Sequence, residues 1–209
     1  KFNGDKNKLY EFFENSKNKI LNDCNEISEN MLARGGGILN INLIDKTSEI
    51  SDYYQLSSDF NTVDSMGANF INSCLEQFAK SFETEFLESK LFDEDENLEI
   101  VMSILSNYVP QCLVKAEVRC KLNQLKNGDV EEPIKFARKF IDAIEIAKND
   151  ISRAVTHNKG IMNGIDAVVI ATGNDFRSVE ACAHAYAAKE GKYSSLTHAK
   201  IEEDEFIYW

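Results

Sequence analysis

Lys159 and Asp175 are the two residues of this sequence whose types and surroundings best fit catalysis. Lys159 stands in the polar stretch from Thr156 to Asp166, where two glycines predict a loop that lets an ammonium group approach a ligand closely. Asp175 precedes a predicted helix. Both residues also have simpler interpretations, a solvated surface lysine and a carboxylate that caps the helix.

A second polar segment lies directly before another predicted helix. The backbone N–H groups at a helix N-terminus, together with the helix dipole, favour an anion such as a pyrophosphate. A glycine in the segment would permit close approach, whereas an ordinary capped turn would account for its first residue alone. The segment consists of Asp64, Ser65, Met66, Gly67, Ala68, Asn69 and Phe70. The triple glycine at 35–37 is a weaker phosphate-loop signal, and a helix stop is its simpler interpretation.

Hydrophobic periodicity predicts the elements that must position these residues. The order of helices and strands is not a strict β-α alternation, which argues against a Rossmann sheet and predicts an α+β fold with an antiparallel sheet. The predicted elements are a helix from Leu9 to Leu32, strands Leu39–Leu43 and Tyr53–Thr62, a helix of about 25 residues after Asn69, strands Leu98–Leu105 and Leu113–Leu122, a helix Pro133–Lys148 with Phe136, Phe140, Ile141 and Ile144 buried, and a helix Phe176–Lys189.

Charge and composition limit the kinds of molecule that the protein is expected to bind. The 35 acidic side chains outnumber the 23 basic ones, and a net charge of −12 would repel a nucleic acid. No apolar run approaches the roughly 20 residues of a membrane span, and no signal peptide is evident. The five cysteines are scattered without the spacing of metal ligands, so we expect reduced thiols, no metal site and a cytoplasmic location.

Five segments in order resemble the signatures of class II 3-hydroxy-3-methylglutaryl-CoA (HMG-CoA) reductases, the mainly bacterial form. The resemblance extends from about Arg34 to Leu196 and implies a four-electron reduction of HMG-CoA to mevalonate and CoA with NADH or NADPH. It also implies a homodimer or higher homo-oligomer with active sites at subunit boundaries. The matching segments are Arg34–Gly37, Asp64–Asn69, Ile104–Asn107, Thr156–Asp166 and Ala171–Ala187.

The resemblance assigns roles to individual residues. Lys159 aligns with the catalytic lysine, and Asp175 with the aspartate that keeps this lysine charged. Arg153 matches the position that binds the substrate carboxylate, although a surface salt bridge is its simpler interpretation. Asn163 and, less directly, Asn107 match polar positions on the substrate side. The segment from Asp64 to Phe70 matches the cofactor motif, with Ser65 replacing the usual alanine.

The resemblance divides the chain into a small cofactor domain at residues 1–109 and part of a large substrate domain at residues 110–209. The family's catalytic glutamate and histidine have no counterpart here, so residues 1–209 alone are expected to reduce HMG-CoA poorly. A non-catalytic dinucleotide- or CoA-binding module that kept the motifs is the alternative. Near the adenosine 2′ position a carboxylate favours NAD and a cation NADP. Glu26 and Glu29 are candidates for that position only through their proximity to Arg34.

Overall fold

The computed structural model describes all 209 residues and divides them into two compact units, Lys1–Leu105 and Ser106–Trp209. The division falls a few residues before the expected boundary at residue 109. Helices and small antiparallel sheets occur in each unit, which confirms the α+β class. No helix is both long enough and apolar enough to cross a membrane.

The first unit packs three helices against a β-hairpin. The two strands are antiparallel and pair from Gly37 opposite Asn61 to Asp45 opposite Tyr54, with one shift of register between Ile38 and Asn40. Aromatic side chains of the first and third helices meet edge to face in the core, as Phe12 and Phe82 do at 5.1 Å between ring centroids. The elements are α1 (Lys6–Asn22), α2 (Asn25–Ala33), β1 (Gly37–Asp45), β2 (Tyr54–Asn61) and α3 (Ala68–Glu88).

The helix predicted from Leu9 to Leu32 is divided into α1 and α2 at Asp23 and Cys24. Asp23 ends α1 and accepts hydrogen bonds from Lys19 and from Ser81 of α3. The break lets the two helices bury different faces, which a single straight helix could not do. Periodicity alone did not reveal it because the apolar spacing stays helical on both sides.

The second unit combines three helices with a three-stranded antiparallel sheet in the order β3-β5-β4. Phe140 lies 5.4 Å from the rings of both Phe206 and Tyr208 and joins the sheet to the helices. The elements are β3 (Val118–Lys121), a 3-10 turn (Leu122–Leu125), α4 (Pro133–Asn149), α5 (Ile151–Ala171), α6 (Phe176–Ala187), β4 (Ala199–Glu202) and β5 (Glu205–Tyr208).

Two strand predictions were wrong. The segment Leu98–Leu105 forms no strand, and its one sheet-like contact is an isolated bridge between Leu98 and Phe2. Within Leu113–Leu122 only β3 is formed, while Val114 is 93% exposed instead of buried. Alternating apolar residues become a sheet face only where a neighbouring strand pairs with them, and β3 pairs along one edge with β5 alone. Strands β4 and β5 were not predicted, because each is only four residues long.

The predicted buried face of α4 is confirmed except at Phe136. Ile144 is buried, and Phe140 and Ile141 pack against the same core, whereas Phe136 is 40% exposed. Ala137 and Ala147, which were not predicted, are also buried and allow α4 to approach its neighbours closely.

Candidate functional site

Lys159 was predicted to lie in a loop, but in the structure it lies near the middle of helix α5. The helix begins at Asp150, whose carboxylate accepts hydrogen bonds from the backbone N–H groups of Ser152 and Arg153 at 2.8 and 3.3 Å. The two glycines of the segment cost about 1 kcal/mol each in helix propensity. Capping by Asp150 and burial of Ala154, among others, offset that cost.

The residues of α5 that were predicted to contact the substrate lie on its exposed part. Lys159 and Asn163 lie one turn apart and point in similar directions, and both are exposed. Arg153 is also exposed and lies about 120° around the helix from Lys159. None of the ion pairs of the chain includes Arg153 or Lys159, so the surface salt bridge considered for Arg153 is not formed.

Two glycines occupy the same exposed part of α5. A Cβ atom built on Gly160 or Gly164 would have no heavy atom of another residue within 4 Å. Neither glycine is therefore required by packing inside this chain. A helix that retains two costly glycines on an open face has room there for another molecule or chain to approach its backbone.

Asp175 caps α6 and is not joined to Lys159. Its carboxylate accepts hydrogen bonds from the Arg177 backbone N–H at 3.0 Å and from Arg177 Nε at 3.3 Å. The Arg177 guanidinium holds the pKa of Asp175 below its usual value, with a smaller contribution from the backbone N–H, so the group is an anion near neutral pH. The helix-cap interpretation of Asp175 is thus confirmed as one of its roles.

Helix geometry separates Lys159 from Asp175 of the same chain. The Asn174 N–H bonds to the carbonyl of Val169 at 2.9 Å, which holds the start of α6 beside the end of α5. Val169 lies ten residues beyond Lys159, about 15 Å along the helix. A lysine and an aspartate side chain together span roughly 9 Å. The two groups therefore cannot form a hydrogen bond within one chain while α5 remains one helix.

Asn158 is a positioning residue that the sequence interpretation did not identify. It is fully buried beside Lys159, donates from Nδ2 to the Ser194 carbonyl and accepts at Oδ1 from the Leu196 N–H, each at 2.9 Å. These bonds fix α5 to the segment that follows α6. The sequence signal was present in the motif, but an asparagine that binds backbone cannot be distinguished there from one that binds substrate.

Replacing Asn158 by alanine should lower the free energy of unfolding by about 2–4 kcal/mol, because the partly buried Ser194 carbonyl and Leu196 N–H lose their hydrogen-bond partners. Urea denaturation measures the change. The matched control is Asn163→Ala on the exposed part of the same helix, which should stay within about 0.5 kcal/mol of the parent. If both substitutions changed the free energy of unfolding equally, the hydrogen bonds of Asn158 would contribute no more to stability than an exposed asparagine does.

The neighbouring histidine faces away from the lysine. His157 Nε2 lies 2.7 Å from the Thr197 hydroxyl, and burial lowers the pKa of His157 below its usual value. His184 meets the Tyr193 hydroxyl at 2.8 Å, and His198 stacks on Trp209. None of the three histidines has a partner on the exposed part of α5.

In the first unit, the segment from Asp64 to Phe70 leads into α3 as predicted. Gly67 is the N-cap residue in the left-handed region at φ 68°, and an added Cβ would lie 2.3 Å from the Thr62 side chain, so glycine is required there. No side chain caps the helix. The first N–H groups of α3 therefore have no side-chain partner and are available to an anionic ligand.

The turn before this segment holds a strained residue. Val63 has φ 57°, a conformation that is costly for a β-branched side chain, by about 1–3 kcal/mol. Its N–H is held by the Asn61 side chain at 2.9 Å, and Thr62 and Ser65 exchange hydrogen bonds across the turn. Such strain persists where the surroundings enforce it, and it is concentrated at binding sites.

The triple glycine and Asn107 are the remaining candidates from the sequence. Gly35 and Gly37 have positive φ, and the N–H of Gly36 bonds to the Met31 carbonyl, so the triple glycine ends α2. Asn107 is exposed outside the helices and strands of the second unit. No three His, Cys, Asp or Glu side chains are grouped to hold a metal ion.

Comparison with known proteins identifies the family. The family described as hydroxymethylglutaryl-coenzyme A reductase matches residues 2–209. A probable 3-hydroxy-3-methylglutaryl-coenzyme A reductase from Borreliella burgdorferi is 34% identical over 191 residues, 90% of this chain and 41% of the relative. The reductase from Archaeoglobus fulgidus is 35% identical over 188 residues, 89% of this chain and 39% of the relative.

Solved structures agree with this assignment. A 3-hydroxy-3-methylglutaryl-coenzyme A reductase from Streptococcus pneumoniae has a TM-score of 0.76 at 32% identity, with 95% of this chain and 45% of that chain covered. A class II reductase from the same organism, bound to NADPH in open conformations, has the same TM-score and identity with 51% of its chain covered. The chain belongs to the hydroxymethylglutaryl-coenzyme A reductase family. It spans about two fifths of the curated relatives' length.

Proposed function

We propose that the protein containing these residues reduces HMG-CoA to mevalonate and CoA and oxidises two molecules of NADH or NADPH. The observation that carries the proposal is the family match over residues 2–209, which includes the exposed and unpaired Lys159 of α5. The reaction belongs to isoprenoid biosynthesis by the mevalonate route, or runs in the reverse direction. Five free cysteines are compatible with the cytoplasm, where we place the protein.

The first unit supplies the cofactor site in this proposal. The open N-terminus of α3 and the left-handed Gly67 leave room and free N–H donors for a pyrophosphate. The cofactor would be held by the segment Asp64–Phe70 and would supply the hydride. The NADPH bound to the related pneumococcal enzyme supports this assignment.

The second unit supplies substrate contacts. Lys159 stabilises the negative charge on the thioester oxygen and then on the aldehyde oxygen, because a positioned ammonium group offsets the charge that develops there. Arg153 binds the free carboxylate of the substrate through its guanidinium, for which bidentate pairing is suited. Asn163 hydrogen-bonds the substrate beside Lys159, and Asn107 belongs to the same side in the complete protein.

The lysine and the aspartate come from different subunits in this proposal. Asp175 cannot reach Lys159 along its own α5, as the distances above require. The pair can form if a second copy presents its Asp175 to Lys159, and the two-fold symmetry of a homodimer makes that contact twice. The open glycines of α5 leave space for such a copy. A homodimer with its active sites at the subunit boundary accounts both for the separation of Lys159 from Asp175 within one chain and for the open glycines of α5.

Product stoichiometry tests the function directly. The complete protein, given HMG-CoA with NADPH or NADH, should release one CoA thiol for every two cofactor molecules oxidised, because two hydrides are needed to convert a thioester to an alcohol. Absorbance of the reduced cofactor and a thiol reagent measure the two amounts. Binding of the cofactor without any oxidation would instead support the non-catalytic module.

A further inference from the structure

A shallow depression in the first unit separates α2 from the first two turns of α3. The α2 side is a stripe at helical spacing that ends on Arg34, the residue that caps this helix. The residues of the depression are Ile27, Asn30, Met31, Arg34, Asn69, Phe70 and Ser73. Arg34 is the one cationic side chain among them. The depression is therefore an apolar floor with polar walls and a single positive charge.

An ion pair lies at the rim of this depression. Arg34 Nη2 is 2.7 Å from Asp64 Oδ1, and the two side chains are 50% and 83% exposed. An exposed pair of this kind contributes little stability. The guanidinium can therefore exchange Asp64 for a stronger anion at small cost. Glu26 and Glu29, the two carboxylates that the sequence suggested here, do not line the depression.

The depression adjoins the free N-terminus of α3, where the pyrophosphate of a dinucleotide is proposed to bind. Asn69, Phe70 and Ser73 of the first two turns of α3 line the depression, so it is continuous with the place where the pyrophosphate is proposed to bind and is available to the adenosine half of the cofactor. NADPH differs from NADH only by a phosphate on the adenosine ribose. A guanidinium matches a phosphate through two parallel N–H···O bonds, which a hydroxyl cannot form.

We propose that Arg34 binds the 2′-phosphate of NADPH and sets a preference for NADPH over NADH, a proposal that rests on the proposed function. The nearby Asp64 increases the loss of NADPH binding that is expected when Arg34 is removed. While Arg34 binds the phosphate, its positive charge also offsets the negative charge of the nearby Asp64. Without Arg34, the Asp64 carboxylate faces the phosphate directly and repels it, so NADPH loses more than one favourable contact.

Arg34→Gln in the complete protein tests the proposal. The KM for NADPH should rise by about tenfold to a hundredfold, the range expected when a charge-assisted contact is lost. The KM for NADH should change less than about threefold, and kcat at saturating cofactor should stay close to the parent value. Arg34→Lys keeps the positive charge but not the two parallel N–H donors of the guanidinium. Its KM for NADPH should therefore lie between those of the parent and of Arg34→Gln. Lys80→Gln, an exposed cation further along α3, is the matched control and should affect neither cofactor.

Calorimetry provides a readout that does not depend on turnover. Adenosine 2′-monophosphate should bind the parent protein more tightly than adenosine 5′-monophosphate, and Arg34→Gln should abolish that difference. Equal effects of the substitution on NADPH and NADH would overturn the role of Arg34, as would a parent protein that oxidises only NADH. Absence of turnover with either cofactor would instead overturn the proposed function, while the nucleotide titration would still decide the role of Arg34.

Discussion

Replacing Lys159 by alanine is expected to lower kcat by about 10²–10³-fold, the range found when a group that stabilises a developing oxyanion is removed. The fold should be unaffected, because Lys159 is exposed and makes no ion pair in the chain. Asp175→Ala should also abolish most activity, although α6 will lose its cap and about 1 kcal/mol of stability. Steady-state oxidation of NADPH by the complete protein measures both variants.

Mixing these two inactive variants tests whether the pair forms between subunits. In a dimer of Lys159→Ala with Asp175→Ala, one of the two sites combines an intact lysine with an intact aspartate, whereas the other site lacks both. Random association places half of the subunits in such dimers, so coexpressed variants should recover about a quarter of the parent activity.

The control is a mixture in which no site can be restored. Lys159→Ala coexpressed with the double variant Lys159→Ala, Asp175→Ala contains no catalytic lysine and should stay inactive. If the first mixture also stays at the level of its separate variants, Lys159 and Asp175 do not cooperate across a subunit boundary. Sedimentation must show that mixed dimers are present in both samples.

The long amphipathic helices could be predicted because their burial follows from local periodicity. The helix predicted from Pro133 begins and ends within one residue of α4, and the one predicted from Phe176 begins where α6 does. The strands could not be predicted as well, since strand β3 depends on pairing with β5, a segment far along the chain. Val114 shows the failure: its alternation is that of a strand, but no neighbouring strand covers it.

The candidate site was predictable in its residue types but not in its geometry. Lys159 and Asp175 stand in recognisable motifs, yet the glycines beside Lys159 suggested a loop where the structure has a helix. That helix is held by Asn158, whose two hydrogen bonds reach residues 194 and 196, so local sequence gives no warning of it. The consequence is functional, because a continuous α5 is what keeps Lys159 away from Asp175 of its own chain.

Replacing Gly164 by leucine should weaken the dimer without weakening the subunit. A Cβ at this position meets nothing in the chain, and leucine has a better helix propensity than glycine by up to about 1 kcal/mol, so the subunit should not unfold more easily. We expect the copy that brings its Asp175 to Lys159 to pack on the open side of α5 that also carries Gly164, at a level between the two charges. Overpacking such a contact costs about 1–3 kcal/mol for each copy.

The dimer dissociation constant should therefore rise by at least about tenfold, and activity should fall with dilution. Sedimentation over a concentration series measures the first, and cofactor oxidation over the same series the second. Gly128→Leu is the matched control, because Gly128 is exposed and an added Cβ there also meets nothing. Should Gly164→Leu destabilise the subunit while the dimer persists, the open face of α5 would belong to a contact inside the complete subunit, and the crossing of two α5 helices would be excluded.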